Sequence, residues 1–326
     1  MDLGELQMQL IESWQHGFPL VARPFAHIAA ALGTSEGDVI AMLSDMSRRG
    51  ILSRVGVTVR PNTVGASTLA AMSVPPARLE EVAAIVNHEA GVNHNYEREH
   101  AFNLWFVVTG RDRGSVSKSL NRIQALTGLS VLVLPLERSY CIDLGFSVNG
   151  QSGRVSASPR VHGAEGNHVT ENDRDLLIGL EEGLPLTAQP YQTIGKLTGL
   201  SEAKVIEQLS SLIARRIISR FGLIIRHREL GFRANAMTVW DIDDENTDRV
   251  GELLAAQPFV TLCYRRPRRL PDWPYNLFCM IHGRERPAVL KQIKSLNKIA
   301  RIEERPSAIL FSRRRFKQRG AKLSAA

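Results

Sequence analysis

Three cysteines in 326 residues, Cys141, Cys263 and Cys279, form no Cys-x-x-Cys pair. This spacing offers no iron–sulfur or structural zinc motif, and it suits a reduced, cytoplasmic setting. No run of eighteen apolar residues occurs, so no membrane-spanning helix is expected. The first thirty residues carry Asp2, Glu5 and Glu12 without a basic n-region, so no secretory leader is expected. What remains has the apolar and charged fractions of an ordinary globular protein, at a length that allows several domains.

The net charge of +8 invites a nucleic-acid reading. Six basic residues, from Arg313 to Lys322, sit in the stretch "SRRRFKQRGAK" near the C-terminus and leave the remainder close to neutral. Residues 313–326 are therefore expected to be a solvated basic tail.

The chain is written twice. "GFPLVARPFAHIAAALGTSEGDVIAMLSDMSRRGILSRVGVTVR" (17–60) aligns without a gap to "GLPLTAQPYQTIGKLTGLSEAKVIEQLSSLIARRIISRFGLIIR" (183–226), with 19 identities in 44 positions. Further on, Val92, Tyr96 and Arg98 meet Val260, Tyr264 and Arg266, and Asn103-Leu104 meets Asn276-Leu277. The second copy is five residues longer between its Arg and its Asn. A Gly/Ser-rich stretch over 148–169 reads as a linker, long enough for the two modules to pair as a dimer would.

Each module has two parts. In the first, Phe25, Ile28, Ala29 and Leu32 form a helical stripe that stops at Gly33. Ser35 then caps a second helix with Val39, Leu43 and Met46 on one face, and an extended stretch follows. This is a winged helix-turn-helix pattern, expected over 1–62 and again over 170–228. The second part reads β-α-β-β-α-β over 63–147 and 229–312, with module-two strands near 234–241, 259–265, 276–282 and 300–304. That order defines an α+β, ferredoxin-like domain. Such a sheet leaves one face free of helices. Two modules can cover those faces by stacking together, with a pocket between them.

The expected recognition helix, "EGDVIAMLSDMS" (36–47), has no Lys or Arg and three acids, and its repeat "EAKVIEQLSSLI" has only Lys204. DNA affinity depends on neutralised phosphates, so these helices suit a scaffold better than a groove reader.

The hairpin "VNHNYEREHAFNLWFVVTG" (92–110) concentrates planar and proton-bearing groups. Strand alternation puts His94, Tyr96 and Arg98 on one face with Val92 at its head, and Asn93, Asn95 and Glu97 on the other. A row of His, Tyr and Arg is a poor way to build a dry core. Leu262, Tyr264 and Arg266 form the equivalent row of the second copy. Common descent would also preserve such residues, so recurrence alone does not separate frame from chemistry.

The tandem architecture resembles that of the leucine-responsive and asparagine-responsive regulators, which bind DNA and sense amino acids. That is the alternative function. The hairpins are more specific. "HNYEREHAFNLWFVVTG" and "CYRRPRRLPDWPYNLFCMIHG" resemble the two subunit types of the siroheme decarboxylase family, here joined in one chain. The resemblance implies loss of two acetate carboxyl groups from siroheme, an iron tetrapyrrole with eight carboxylates. No cofactor beyond that substrate and no metal of the protein's own are implied. His94, His100, Tyr96 and Arg98 form the catalytic set, with a histidine as proton donor. Either His94 or His100 could instead ligate the substrate iron. Arg265, Arg266, Arg268 and Arg269 are expected to bind carboxylates, and Trp105, Trp273 and Phe278 to form flat walls. Asn103, Tyr264, Tyr275 and Asn276 complete the substrate contacts. Because His94 becomes Leu262, two non-equivalent pockets are expected. Assembly of two chains into a homodimer stays open.

Overall fold

The computed structural model of the chain describes residues 3–142 and 169–320. The linker expected over 148–169 lies outside the described residues except for Val169. Module one comprises α1 (Glu5–Trp14), α2 (Pro24–Leu32), α3 (Glu36–Arg48), β1 (Leu52–Val59), β2 (Ala66–Met72), α4 (Leu79–His88), β3 (Val92–Arg98), β4 (Leu104–Gly110), α5 (Arg113–Thr127), β5 (Leu132–Pro135) and β6 (Arg138–Ile142). Module two repeats it as α6 (Glu171–Gly179), α7 (Pro190–Thr198), α8 (Glu202–Ala214), β7 (Ile218–Ile225), β8 (Ala234–Trp240), α9 (Asp244–Ala255), β9 (Val260–Arg265), β10 (Leu277–Gly283), α10 (Arg286–Ala300) and β11 (Ser307–Gln318).

Local chemistry sets the helix ends. Both α2 and α7 start on a proline, whose missing N–H costs nothing in the first turn. Both stop at a left-handed glycine, Gly33 (φ +65°) and Gly199 (φ +72°). The Ser35 hydroxyl accepts the Asp38 N–H at 3.1 Å to start α3, and Ser201 does the same for α8.

The winged helices of the two modules are fused by a shared core. β1 pairs antiparallel with β7, with Gly56 opposite Gly222. Phe18, Phe25, Tyr191 and Phe221 join one apolar cluster drawn from both modules. Burying a side chain of that size contributes about 1.5–3 kcal/mol.

The remaining strands form one nine-stranded sheet in the order β5-β2-β4-β3-β11-β8-β10-β9-β6. It is built by reciprocal exchange. β5 pairs with β2 of its own module, and β6 then pairs with β9 of the other. In the same way, residues 307–311 pair with β8 and residues 312–318 cross to β3. Helices cover the outer faces over separate cores. The helix-free inner faces meet around Trp105, Leu134, Trp273, Phe278 and Leu310.

Three expectations change. Residues 300–304 are not a strand, because the apolar stripe Val289, Ile293, Leu296 and Ala300 carries α10 through to residue 300. Residues 313–318 are not a tail but the second half of β11. Several of their charges are paired: Arg314 with Glu80 and Glu97, and Arg315 with Glu229 at 3.2 Å. Finally, the β3–β4 register shifts between Val92 and His94. This bulge turns Val92 into the helix-side core and Asn93 toward the inner face, the reverse of simple alternation. The row His94, Tyr96 and Arg98 stays together on the inner side.

Candidate active site on the axis between the modules

A cavity of about 470 Å³ opens between the paired wings and the inner faces of the sheet. Equivalent residues of both modules line it: Tyr96 and Tyr264, Arg98 and Arg266, Trp105 and Phe278. The two modules contribute unequal residues to this shared space. His94 faces Leu262 across the pseudo-symmetry, while His282 stands where module one has Thr109.

The arginines dominate its chemistry. Arg98 Nη1 donates to Leu310 O at 3.1 Å, and Arg266 Nη1 donates to Leu134 O at 2.5 Å. Each guanidinium lies over its neighbouring tyrosine, Arg98 at 5.7 Å from the Tyr96 centroid and Arg266 at 5.2 Å from that of Tyr264. Both side chains are buried, and both Nε atoms lack a partner among the described residues. No carboxylate among the described residues pairs with either. Burial alone pulls both down to about 10, so both remain cationic at neutral pH. The wings add Arg54 and Arg60 from β1 and its exit, and Arg220 and Arg226 from the equivalent positions of module two. Arg228 and Arg319 also reach the wall, while Glu181 supplies the one carboxylate among the described lining residues. Buried cations such as Arg98 and Arg266, with no carboxylate partner among the described residues, are costly, so the lining suits a polyanion.

Three histidines share the wall: His94, His227 and His282. His94 Nδ1 donates to Asn93 Oδ1 at 2.9 Å. Thr261 gives its hydroxyl proton to Met280 O at 3.1 Å, so His282 Nδ1 donates to Thr261 Oγ1 at 3.0 Å. Burial, then the charge of Arg54, holds the His94 imidazole down at about 4. Burial, then Arg98, does the same to His282, also at about 4. His227 lies 6.2 Å from the His282 ring and is pushed well below its ordinary value by burial, His282 and Arg220. All three rings are neutral at neutral pH. Burial raises the Tyr96 phenol, which stays protonated.

Of the residues expected from sequence, His94, Tyr96, Arg98, Trp105, Tyr264, Arg266 and Phe278 line the cavity. The others do not. Asn103 and Asn276 are backbone clamps: each amide bonds both N–H and C=O of one residue, Val74 and Ile242 respectively, at 2.8–2.9 Å. Arg265 pairs with Glu137 and Asp244, and Arg268 with Asp241 and Asp244, on the helix side. Arg269 is exposed and donates to Val133 O at 3.0 Å. His100 is half-buried in the β3–β4 turn, its Nδ1 accepting from Phe102 N at 3.0 Å. Its ring meets that of Trp273, which is buried between the sheets and also contacts Tyr275 at 5.0 Å. These aromatics plug the end of the sandwich beyond Trp105. The sequence reading missed the wing arginines, although Arg54/Arg220 and Arg60/Arg226 are identities within the 44-residue repeat. His227 and His282 carried no such signal, because their counterparts are Pro61 and Thr109.

Paired winged helices over a joined α+β sheet, enclosing a cationic cavity, define a ligand-handling protein of the AsnC-like architecture. Residues 64–140 and 229–317 match the AsnC-like ligand binding domain, and residues 7–52 and 173–218 match the siroheme decarboxylase NirDL-like HTH domain. The chain belongs to the siroheme decarboxylase NirDL family. It is 44% identical to the siroheme decarboxylase NirDL subunit of Paracoccus denitrificans over 99% of both chains. The separate NirL and NirD subunits of Stutzerimonas stutzeri are each 48% identical to it, over 44% and 47% of this chain and 85% and 100% of their own lengths. The chain is thus a fusion of the two subunit types. A crystal structure of the siroheme decarboxylase NirDL in co-complex with an iron-uroporphyrin III analogue superposes with a TM-score of 0.67 at 27% identity, covering 98% of this chain and 93% of that one.

Proposed function

We propose that this chain is a cytoplasmic carboxy-lyase that decarboxylates siroheme without oxidation. It removes the C12 and C18 acetate carboxyl groups to give 12,18-didecarboxysiroheme, on the route to haem d1 or, in other organisms, haem b. The observation that carries this reading is the pair Arg98 and Arg266, buried at the cavity wall with carbonyl partners and no carboxylate partner among the described residues. A tetrapyrrole bearing eight carboxylates supplies the missing counter-charge, and guanidinium binds carboxylate in a bidentate fork.

Each turnover converts a ring-bound CH₂–COO⁻ and a proton into a methyl group and CO₂. The C–C bonding pair passes into the macrocycle, which serves as the electron sink, so no cofactor beyond the substrate is required. The protein holds the reacting carboxylate in a dry wall where losing its charge is favoured. It also delivers one proton to the methylene carbon. His94 and His282 are the groups on the wall suited to that step once the carboxylates of the bound substrate offset the arginines and raise these imidazoles from about 4 toward their ordinary range, and Tyr96 and Tyr264 orient them and the arginines. Trp105 and Phe278 give the macrocycle its apolar floor.

Anaerobic incubation of the pure chain with siroheme, followed by mass analysis, tests the proposal. The expected product has lost two CO₂. Recovery of unchanged siroheme under conditions where it binds would refute it.

A further inference from the structure

Strand β11 ends where the cavity wall begins. Gln318 pairs with His94, and Arg319 then folds onto module one. Its backbone N–H donates to Asn93 O at 2.9 Å and its Nη2 to Ala90 O at 2.7 Å. Arg319 lines the cavity, its Nε is buried without a partner, and no carboxylate among the described residues pairs with it. Gly320 lies directly against Arg54: a Cβ at 320 would come within 2.9 Å of the Arg54 guanidinium. Arg54 Nε is likewise buried and without a partner. Arg54 of the first wing and Arg319 just beyond β11 thus both reach the wall around His94, and burial pulls the Arg54 guanidinium down despite the opposing field of Glu182. Like charges gathered in a poorly solvated place raise the free energy unless an anion sits between them. The symmetry-related wall is different. There Ile142 pairs with Leu262, where Gln318 pairs with His94. Among the described residues, no counterpart of Arg319 lines the cavity beside Leu262.

We propose that Arg54 and Arg319 form a two-arginine clamp for one acetate carboxylate of the tetrapyrrole and hold it beside His94. The last strand of module two then completes the substrate site of module one. This rests on the siroheme reading above and adds to it the group gripped, the side of the cavity and a residue from outside both hairpins.

The test is absorbance titration of the full-length chain with two iron porphyrins. Iron uroporphyrin III carries acetates and propionates, whereas iron coproporphyrin III has methyls in place of the acetates. Arg319→Ala is expected to weaken uroporphyrin binding about ten- to hundredfold, the loss of one charge-assisted pair, and to leave coproporphyrin binding within about threefold. Arg319→Lys is expected to recover part of the loss. Arg313→Ala, which removes the same charge from an exposed position of β11, is expected to bind both as the parent chain does. Gly320→Ala, which displaces the Arg54 guanidinium without removing charge, is expected to weaken uroporphyrin alone. Unchanged uroporphyrin binding by Arg319→Ala, or an equal loss for both porphyrins, overturns the clamp and leaves the siroheme reading standing. A parent chain that binds neither porphyrin overturns both.

Discussion

Arg98 of module one reaches across the module boundary to the carbonyl of Leu310, and the same bond is made in reverse by Arg266 to Leu134. Each cation therefore depends on a strand of the other module for its place, β11 for Arg98 and β5 for Arg266. Neither has a carboxylate partner among the described residues, so each lowers stability. Arg98→Met keeps the length and apolar volume of the side chain and removes the buried charge. Its melting temperature is expected to equal or exceed that of the parent. Tetrapyrrole affinity is expected to fall about ten- to hundredfold, with decarboxylation falling at least as far. Thermal unfolding and absorbance titration on one preparation check both halves. A variant that loses stability and affinity together would make Arg98 a structural residue.

Asn103 and Asn276 are expected to behave in the opposite way. Each clamps the segment that follows the first strand of its sheet, and neither faces the cavity. Asn276 also donates to Thr247 at 3.2 Å and is the more buried. Replacing either by Ala is expected to cost about 1–3 kcal/mol, the larger loss falling on Asn276, while turnover per folded molecule is unchanged. Denaturant unfolding paired with activity normalised to folded protein measures this.

These two cases show what the sequence could and could not reveal. The repeat made both modules legible, since helix stripes, caps and strand alternation are local signals. It also marked Tyr, Arg and Asn as recurrent, but recurrence has two physical causes. Tyr96/Tyr264 and Arg98/Arg266 recur at a shared cavity, whereas Asn103/Asn276 recur as the same backbone clamp. Alternation alone could not foresee the bulge that exchanges Val92 and Asn93 between faces. The arginines of β11 looked like a tail because their partners, Glu80, Glu97 and Glu229, are far away in sequence. His227 and His282 became visible only when β7, β10 and β3 were brought to one wall.

No binding to DNA by the paired winged helices is expected. The wings β1 and β7 are spent on each other, and their arginines Arg54, Arg60, Arg220 and Arg226 face the cavity. On α8, Lys204 is paired with Glu207 at 3.0 Å. A gel shift against the chain's own promoter at about 0.15 M salt is expected to show free DNA, since phosphate neutralisation dominates such affinity. A salt-resistant, sequence-specific complex would restore the regulator function.

The three cavity histidines give stability a pH dependence of defined sign. His94 and His282 are held at about 4, and His227 is also lowered, against an ordinary value of 6.5. Between those limits the unfolded chain binds more protons than the folded one, so stability rises with pH through this window. The contribution is fully present above about 6.5 and is lost as pH falls toward 4. The melting temperature of the ligand-free chain is expected to drop across that interval. Exchanging a histidine for its counterpart in the other module, as His94→Leu or His282→Thr, is expected to flatten the drop. A bound polycarboxylate opposes the field of the arginines and raises these imidazoles toward their ordinary range. Iron uroporphyrin III is therefore expected to bind with proton uptake and more tightly at pH 6 than at pH 8. Affinity independent of pH across that range would mean that the histidines do not sense the ligand's charge.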